Sequence, residues 1–145
     1  MKKILIINGP NLNLLGKRDK KMYGSKTLEN IEKKCFDKCK ELNYSLQTFQ
    51  SNHEGDIIDI LHKSDDDVDF IILNPGAFTH YSIAIRDAIE GIETPVIEVH
   101  MTNIYSREEF RRKSVISPVS YGQISGFGYN VYLIALEAIR NILEG

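Results

Sequence analysis

Several things are missing from this sequence, and each absence removes a class of function. There is no G-x-x-x-x-G-K-[ST] run and no G-x-G-x-x-G after an apolar segment. The phosphate-cradling turns of nucleotide sites are therefore lacking. Gly126-Phe127-Gly128 has no third glycine and comes late in the chain. No apolar run approaches the ~20 residues that cross a bilayer. Lys2-Lys3 precedes only Ile4 to Ile7, too short for the apolar part of a signal peptide, so the expected location is cytoplasmic. Positive charge does not predominate: the net charge is −2 and the pI about 6.1. That leaves no basic footprint for nucleic acid. The two cysteines, Cys35 and Cys39, form neither a C-x-x-C motif nor half of a zinc site. They are expected to be reduced and buried. The sequon Asn43-Tyr44-Ser45 carries no meaning without a secretory signal. There is no repeat, linker or low-complexity segment. A chain of 145 residues is expected to be one domain, 1–145, with a real core.

What is present is an alternation of strand and helix. Lys3 to Ile7, Phe70 to Leu73 and Val96 to Val99 are short apolar runs rich in β-branching, as in strands buried on both faces. Tyr44 to Gln50 is more polar and belongs nearer an edge. Tyr121 to Ile124 is a short fifth strand. Thr27 caps a helix over Leu28 to Leu42, whose stripe is Leu28, Ile31, Cys35, Cys39 and Leu42. A second helix carries Ile57, Ile58, Ile60 and Leu61, and a third runs from Ile83 to Gly91. A capping box from Ser106 to Glu109 predicts a short helix through Arg112. The last helix carries Val131, Ala135, Ala138 and Ile142 along one side. This pattern predicts an α/β, flavodoxin-like, doubly wound parallel sheet of five strands, order 2-1-3-4-5, with helices on both faces.

Ligands of such sheets bind outside the carboxyl ends of the strands. Three polar loops would meet there: Asn8 to Asn13, Asn74 to His80, and His100 to Asn103. The plain alternative for the second is a strand-to-helix turn capped by Thr79 or Ser82. A phosphoacceptor site would want carboxylates where Asn8 and Asn74 stand. Metal binding is poorly served, with His80 and His100 the only plausible ligands; His53 and His62 flank a helix and read as solvated or capping. The remaining set is amides, hydroxyls, two histidines, Arg18 and Arg111. It suits a small polyhydroxylated carboxylate. A histidine suits general-acid work without a cofactor. Tyr23, in the charged segment Lys17 to Lys26, is surface decoration by default. With Arg18 close by, its ionised form would be stabilised and it could act as a base.

These segments together resemble the type II 3-dehydroquinate dehydratases. The resemblance runs through Asn8-Gly9-Pro10-Asn11-Leu12-Asn13-Leu14-Leu15-Gly16, Arg18 with Tyr23-Gly24, and Gln50-Ser51-Asn52-His53-Glu54-Gly55. It continues through Asn74-Pro75-Gly76-Ala77-Phe78-Thr79-His80, Arg86-Asp87-Ala88 and Glu98-Val99-His100. Arg107-Glu108-Glu109-Phe110-Arg111 and Gly126-Phe127-Gly128 complete it. Nearly the whole chain is covered, in the right order.

The resemblance implies loss of water from 3-dehydroquinate to give 3-dehydroshikimate, by trans elimination through an enolate. That is the third step of the shikimate pathway, or part of quinate breakdown. No cofactor, metal or Schiff base is implied. Tyr23 would be the base and His100 the general acid, with Arg18 stabilising the charged states. Asn11 would hold a water or the enolate oxygen. Asn74, His80 and Arg111 would bind hydroxyls and the carboxylate region, and Met101 and Thr102 would cradle the carboxylate. Asp87 would reach a neighbouring subunit's site in a homododecamer, a tetramer of trimers. Arg18 and Tyr23 would ride on a closing lid, and Glu98 would orient an imidazole or remain a plain strand-end carboxylate. The chain departs from the family pattern at Lys20, usually proline, which bears on lid stiffness. It departs also at Thr102, usually serine, and at Tyr105 and Lys113, where histidines are common. A binding module without catalysis is the competing class; the joint presence of Tyr23, Arg18 and His100 separates the two.

Overall fold

In the computed structural model, which describes residues 1–145, five strands form one parallel sheet in the order β2-β1-β3-β4-β5. They are β1 (Lys2–Asn8), β2 (Tyr44–Gln50), β3 (Phe70–Asn74), β4 (Val96–His100) and β5 (Gly122–Ser125). This is the flavodoxin-like order expected from the sequence, with the more polar β2 at one edge. Successive side chains on a strand face opposite sides of the sheet. Ile4, Ile6, Phe70, Ile72, Ile97 and Val99 accordingly pack beneath α2 (Leu28–Leu42) and α5 (Asn130–Glu144). Leu5, Ile7, Ile71, Leu73 and Val96 pack on the other face, beneath α3 (Glu54–Ser64) and α4 (Ile83–Gly91). No helix is long and apolar enough to cross a membrane.

Local chemistry sets the helix ends. Thr27 Oγ1 accepts from Asn30 N–H at 3.1 Å, and Asn30 Oδ1 accepts from Thr27 N–H at 3.0 Å. This reciprocal cap satisfies two donors that the first turn would otherwise leave unpaired. Ser82 caps α4 by a single bond, its Oγ accepting from Ile85 N–H at 3.0 Å. Cys35 and Cys39 are free thiols on the buried stripe of α2. Burial pushes them up to about 12 and about 11, so they stay protonated and act as packing groups.

Three expectations are corrected. The last helix buries Val131, Tyr132, Ala135, Leu136 and Ile139, while Ala138 is only half-buried and Ile142 is exposed. The buried face is centred nearer the start of the helix than the predicted stripe, on Tyr132, Leu136 and Ile139. The capping box from Ser106 to Glu109 does not form. Two separate 3-10 turns occur there, Ile104–Ser106 and Glu109–Arg111, with Arg107 in extended backbone between them. Ser106 Oγ instead donates to Asn103 O at 2.9 Å. The fifth strand starts one residue later than expected, and Tyr121 stays exposed. The charged segment before α2 holds a short helix, α1 (Lys20–Tyr23).

Two loops at the carboxyl edge lie in direct contact. Gly9 N–H donates to Asn74 O at 2.8 Å. A Cβ on Gly9 would stand 2.7 Å from Pro75 O, so only glycine permits that approach. Gly76, opposite Pro10, has φ +58°.

Candidate active site

A cavity of about 160 Å³ opens at this edge. It draws on all three loops: Asn11 after β1; Asn74 and His80 after β3; His100, Met101 and Thr102 after β4. Arg18, Asp19 and Tyr23 enter from the segment before α2, and Arg107 and Arg111 from the turns after β4. Ten side chains were singled out from sequence, and Asp87 is the one that does not line the cavity. It lies exposed on α4. No group of three metal-ligating side chains gathers anywhere in the chain.

Tyr23 sits between two guanidinium groups. Arg18 Cζ lies 5.0 Å from the ring centroid and Arg107 Cζ 5.7 Å. Arg107 Nη1 also donates to Tyr23 Oη at 3.1 Å. Arg107 Nε is buried and makes no hydrogen bond, the nearest carboxylate oxygen, Glu108 Oε1, standing 3.8 Å away. Sequence reasoning missed Arg107 as a site residue. It stands near Arg111 and Arg112, and spacing alone does not say that Arg107 joins Arg111 in the cavity while Arg112 stays out. The extended backbone between the two 3-10 turns decides it.

His100 is buried at the end of β4. Its Nε2 lies 2.5 Å from Glu98 Oε2, two residues back on the same face of the strand. Glu98 is fully buried. Burial works to raise its carboxyl, but the hydrogen bond and charge of His100, with the Ser117 and Thr79 hydroxyls, outweigh burial and hold it below the ordinary range. Glu98 is therefore a carboxylate, and Nε2 of His100 is its donor. Nδ1 is left as the ring nitrogen free for a ligand.

His80 is fixed differently. Its Nδ1 lies 2.8 Å from Lys113 O, an acceptor, so Nδ1 carries the hydrogen. Burial lowers its pKa, His100 and Arg111 lower it further, and the Lys113 carbonyl opposes them. A neutral His80 presents Nε2 as an acceptor.

The amides are held from beneath. Tyr132 Oη donates to Asn8 Oδ1 at 2.6 Å and accepts from Asn74 Nδ2 at 3.0 Å. Asn74 Oδ1 accepts from Gly76 N–H at 3.1 Å. Asn11 takes a left-handed backbone, φ 70°, and its N–H donates to Asn52 Oδ1 at 3.0 Å. Gln50 Nε2 holds the same Asn52 oxygen at 3.2 Å and Gly9 O at 3.2 Å.

A polar cavity with a tyrosine between arginines and a histidine on a buried carboxylate suits proton transfer on a small oxygenated anion. The comparisons agree with that chemistry. The family model described as "Dehydroquinase class II" matches residues 2–140. A 3-dehydroquinate dehydratase of Caldicellulosiruptor bescii is 57% identical over 145 residues, covering 99% of this chain and 100% of the relative. The crystal structure of a type II dehydroquinase from Butyrivibrio crossotus superposes with a TM-score of 0.94 at 46% identity, covering 96% of this chain and 97% of that one. One from Propionibacterium acnes gives 0.94 at 38% identity, covering 97% of each. This chain belongs to the class II dehydroquinases.

Proposed function

We propose a division of labour among these residues for the reaction of the family, the dehydration of 3-dehydroquinate to 3-dehydroshikimate in the shikimate pathway. Tyr23, as a tyrosinate, takes the proton from the carbon next to the ketone. Negative charge on Oη is opposed by the guanidiniums of Arg107 and Arg18. The electrons pass to the carbonyl oxygen, giving an enolate, and Asn11 holds that oxygen or the water bound to it. The enolate collapses as the hydroxyl leaves. His100 delivers a proton from Nδ1 to that oxygen, and water departs. The neutral His100 that remains keeps its Nε2 hydrogen on Glu98. Asn74, His80 and Arg111 receive the substrate hydroxyls and carboxylate region, with Met101 and Thr102 beside them. The Nε–H of Arg107, which makes no hydrogen bond in the protein, is a further donor for a substrate oxygen.

The observation that carries this reading is the joint arrangement of Tyr23 against Arg107 and His100 against Glu98 in one cavity. A pure binder has no use for a base and an acid fixed in this way. Purified protein with 3-dehydroquinate should raise the absorbance of a conjugated enone. A flat trace at high protein concentration would count against the reading.

The finer points belong to the same proposal. No cofactor or metal takes part. The enzyme works in the cytoplasm, and assembles as a homododecamer in which Asp87 reaches a neighbouring subunit's cavity. Support for assembly comes from Tyr81 and Ile83, 61% and 55% exposed on the flank that carries Asp87. A fully active monomer by light scattering would count against assembly.

A further inference from the structure

Beyond Glu98 lies a set of hydroxyls to which no role has yet been given. The Glu98 carboxylate accepts from Ser117 Oγ at 2.5 Å on Oε1 and from Thr79 Oγ1 on Oε2. Ser114 Oγ lies 3.1 and 2.9 Å from the two oxygens. Ser114 Oγ also lies 3.0 Å from Thr79 Oγ1, whose own hydrogen goes to the carboxylate. The lone pairs of Ser114 Oγ are taken by Ile116 N–H at 3.1 Å and Ser117 N–H at 2.9 Å, so its O–H is directed to the carboxylate. The loop itself is pinned from both sides. Val115 N–H donates to Thr79 O at 2.8 Å, and Arg86 Nη1 donates to Val115 O at 3.0 Å. With His100, the carboxylate then meets four donors, enough to fill its roughly four acceptor positions.

We propose that Thr79, Ser114 and Ser117 are positioning residues that set the acid strength of His100 by limiting how much negative charge Glu98 can offer it. This rests on His100 being the general acid, as assigned above. Each hydroxyl that donates to the carboxylate draws charge from it. A carboxylate so engaged fixes the imidazole ring but holds its second proton less firmly. The acid can then give up that proton to the leaving hydroxyl near neutral pH. Remove one hydroxyl, and Glu98 becomes the stronger partner. The imidazolium is held more tightly and becomes a weaker acid.

Other charges around the pair stay in place when a hydroxyl is removed. His80 faces both members from the turn after β3. Arg107 and Arg111, from the turns after β4, and Arg18, Asp19 and Tyr23, from the segment before α2, share the cavity with His100. The neighbours on β3 and β5 are neutral: Leu73, Gln123 and Ser125.

The test is Ser117→Ala in the full chain, with Thr79→Val as a second variant of nearly unchanged shape and Ser117→Thr to restore the hydroxyl. Two readouts are needed: the pH profile of kcat with 3-dehydroquinate, and the titration of the His100 imidazole by nitrogen NMR. In Ser117→Ala or Thr79→Val, the basic limb and the His100 midpoint should both move upward by about 0.5–1 in pH. The kcat optimum should fall about 3–10-fold, and Ser117→Thr should restore both. Should kcat fall with the limb and midpoint unmoved, the hydroxyls are merely structural and the inference is overturned. A shifted NMR midpoint in a protein inert toward 3-dehydroquinate would sink the assigned reaction and leave the electrostatic coupling standing.

Discussion

Arg107 and Tyr23 stand 84 positions apart in the chain, and Nη1 of the first donates to Oη of the second across 3.1 Å. The contact closes the cavity between the segment before α2 and the turns after β4. It also puts a positive charge against the oxygen assigned as the base.

Arg107→Ala should therefore lower kcat by about 10²–10³-fold, the range for losing a donor aimed at developing charge. Arg107→Lys should recover only part, because an ammonium keeps the charge but not the planar fork. Steady-state kinetics of the two variants checks this. If Arg107→Ala changes KM alone, the residue binds substrate without acting on Tyr23.

Much of the fold was legible in the sequence, for a physical reason. β1, β3 and β4 are covered on both faces, so they read as apolar runs ended by Asn8, Asn74 and His100. Thr27 and Ser82 signalled helix starts through local hydrogen bonds that need no tertiary partner. What escaped depends on distant contacts. Tyr132 is buried on α5 because its hydroxyl finds Asn8 and Asn74, more than fifty positions away. Arg107 turns inward because the chain leaves helical geometry at Arg107 and Glu108, between two 3-10 turns. Proximity of Arg18 to Tyr23 was posed as a condition, and the ring contact at 5.0 Å meets it.

Tyr132→Phe should cost about 1–3 kcal/mol of stability, since Asn8 and Asn74 would lose a buried partner. Asn8 Nδ2 already has none. KM should rise as Asn74 loosens, with kcat less affected. Denaturant unfolding and kinetics together test this; unchanged stability would mean that a water replaces the hydroxyl.

Glu98 should make stability depend on acid pH. Its carboxyl is held below the ordinary value of 4.5 in the folded chain. The unfolded chain then takes up a proton at a pH where the folded chain does not. Stability from this group is whole above about 4.5 and is lost as the pH falls through the lower folded value. Glu98→Gln should give a shallower acid slope of the denaturation midpoint. The slope should not vanish, because Asp65, Glu108 and Glu137 are also held low. An unchanged slope would mean that Glu98 is protonated in the native state.

The most direct test is the kcat of Tyr23→Phe on 3-dehydroquinate, with His100→Ala measured beside it. Phenylalanine keeps the ring between Arg18 and Arg107 and removes only the oxygen. The expected result is a loss of about 10²–10⁴-fold or more in kcat for each variant, with KM nearly unchanged in Tyr23→Phe. A Tyr23→Phe enzyme that turns over at close to the wild-type kcat would place the base elsewhere and contradict the mechanism.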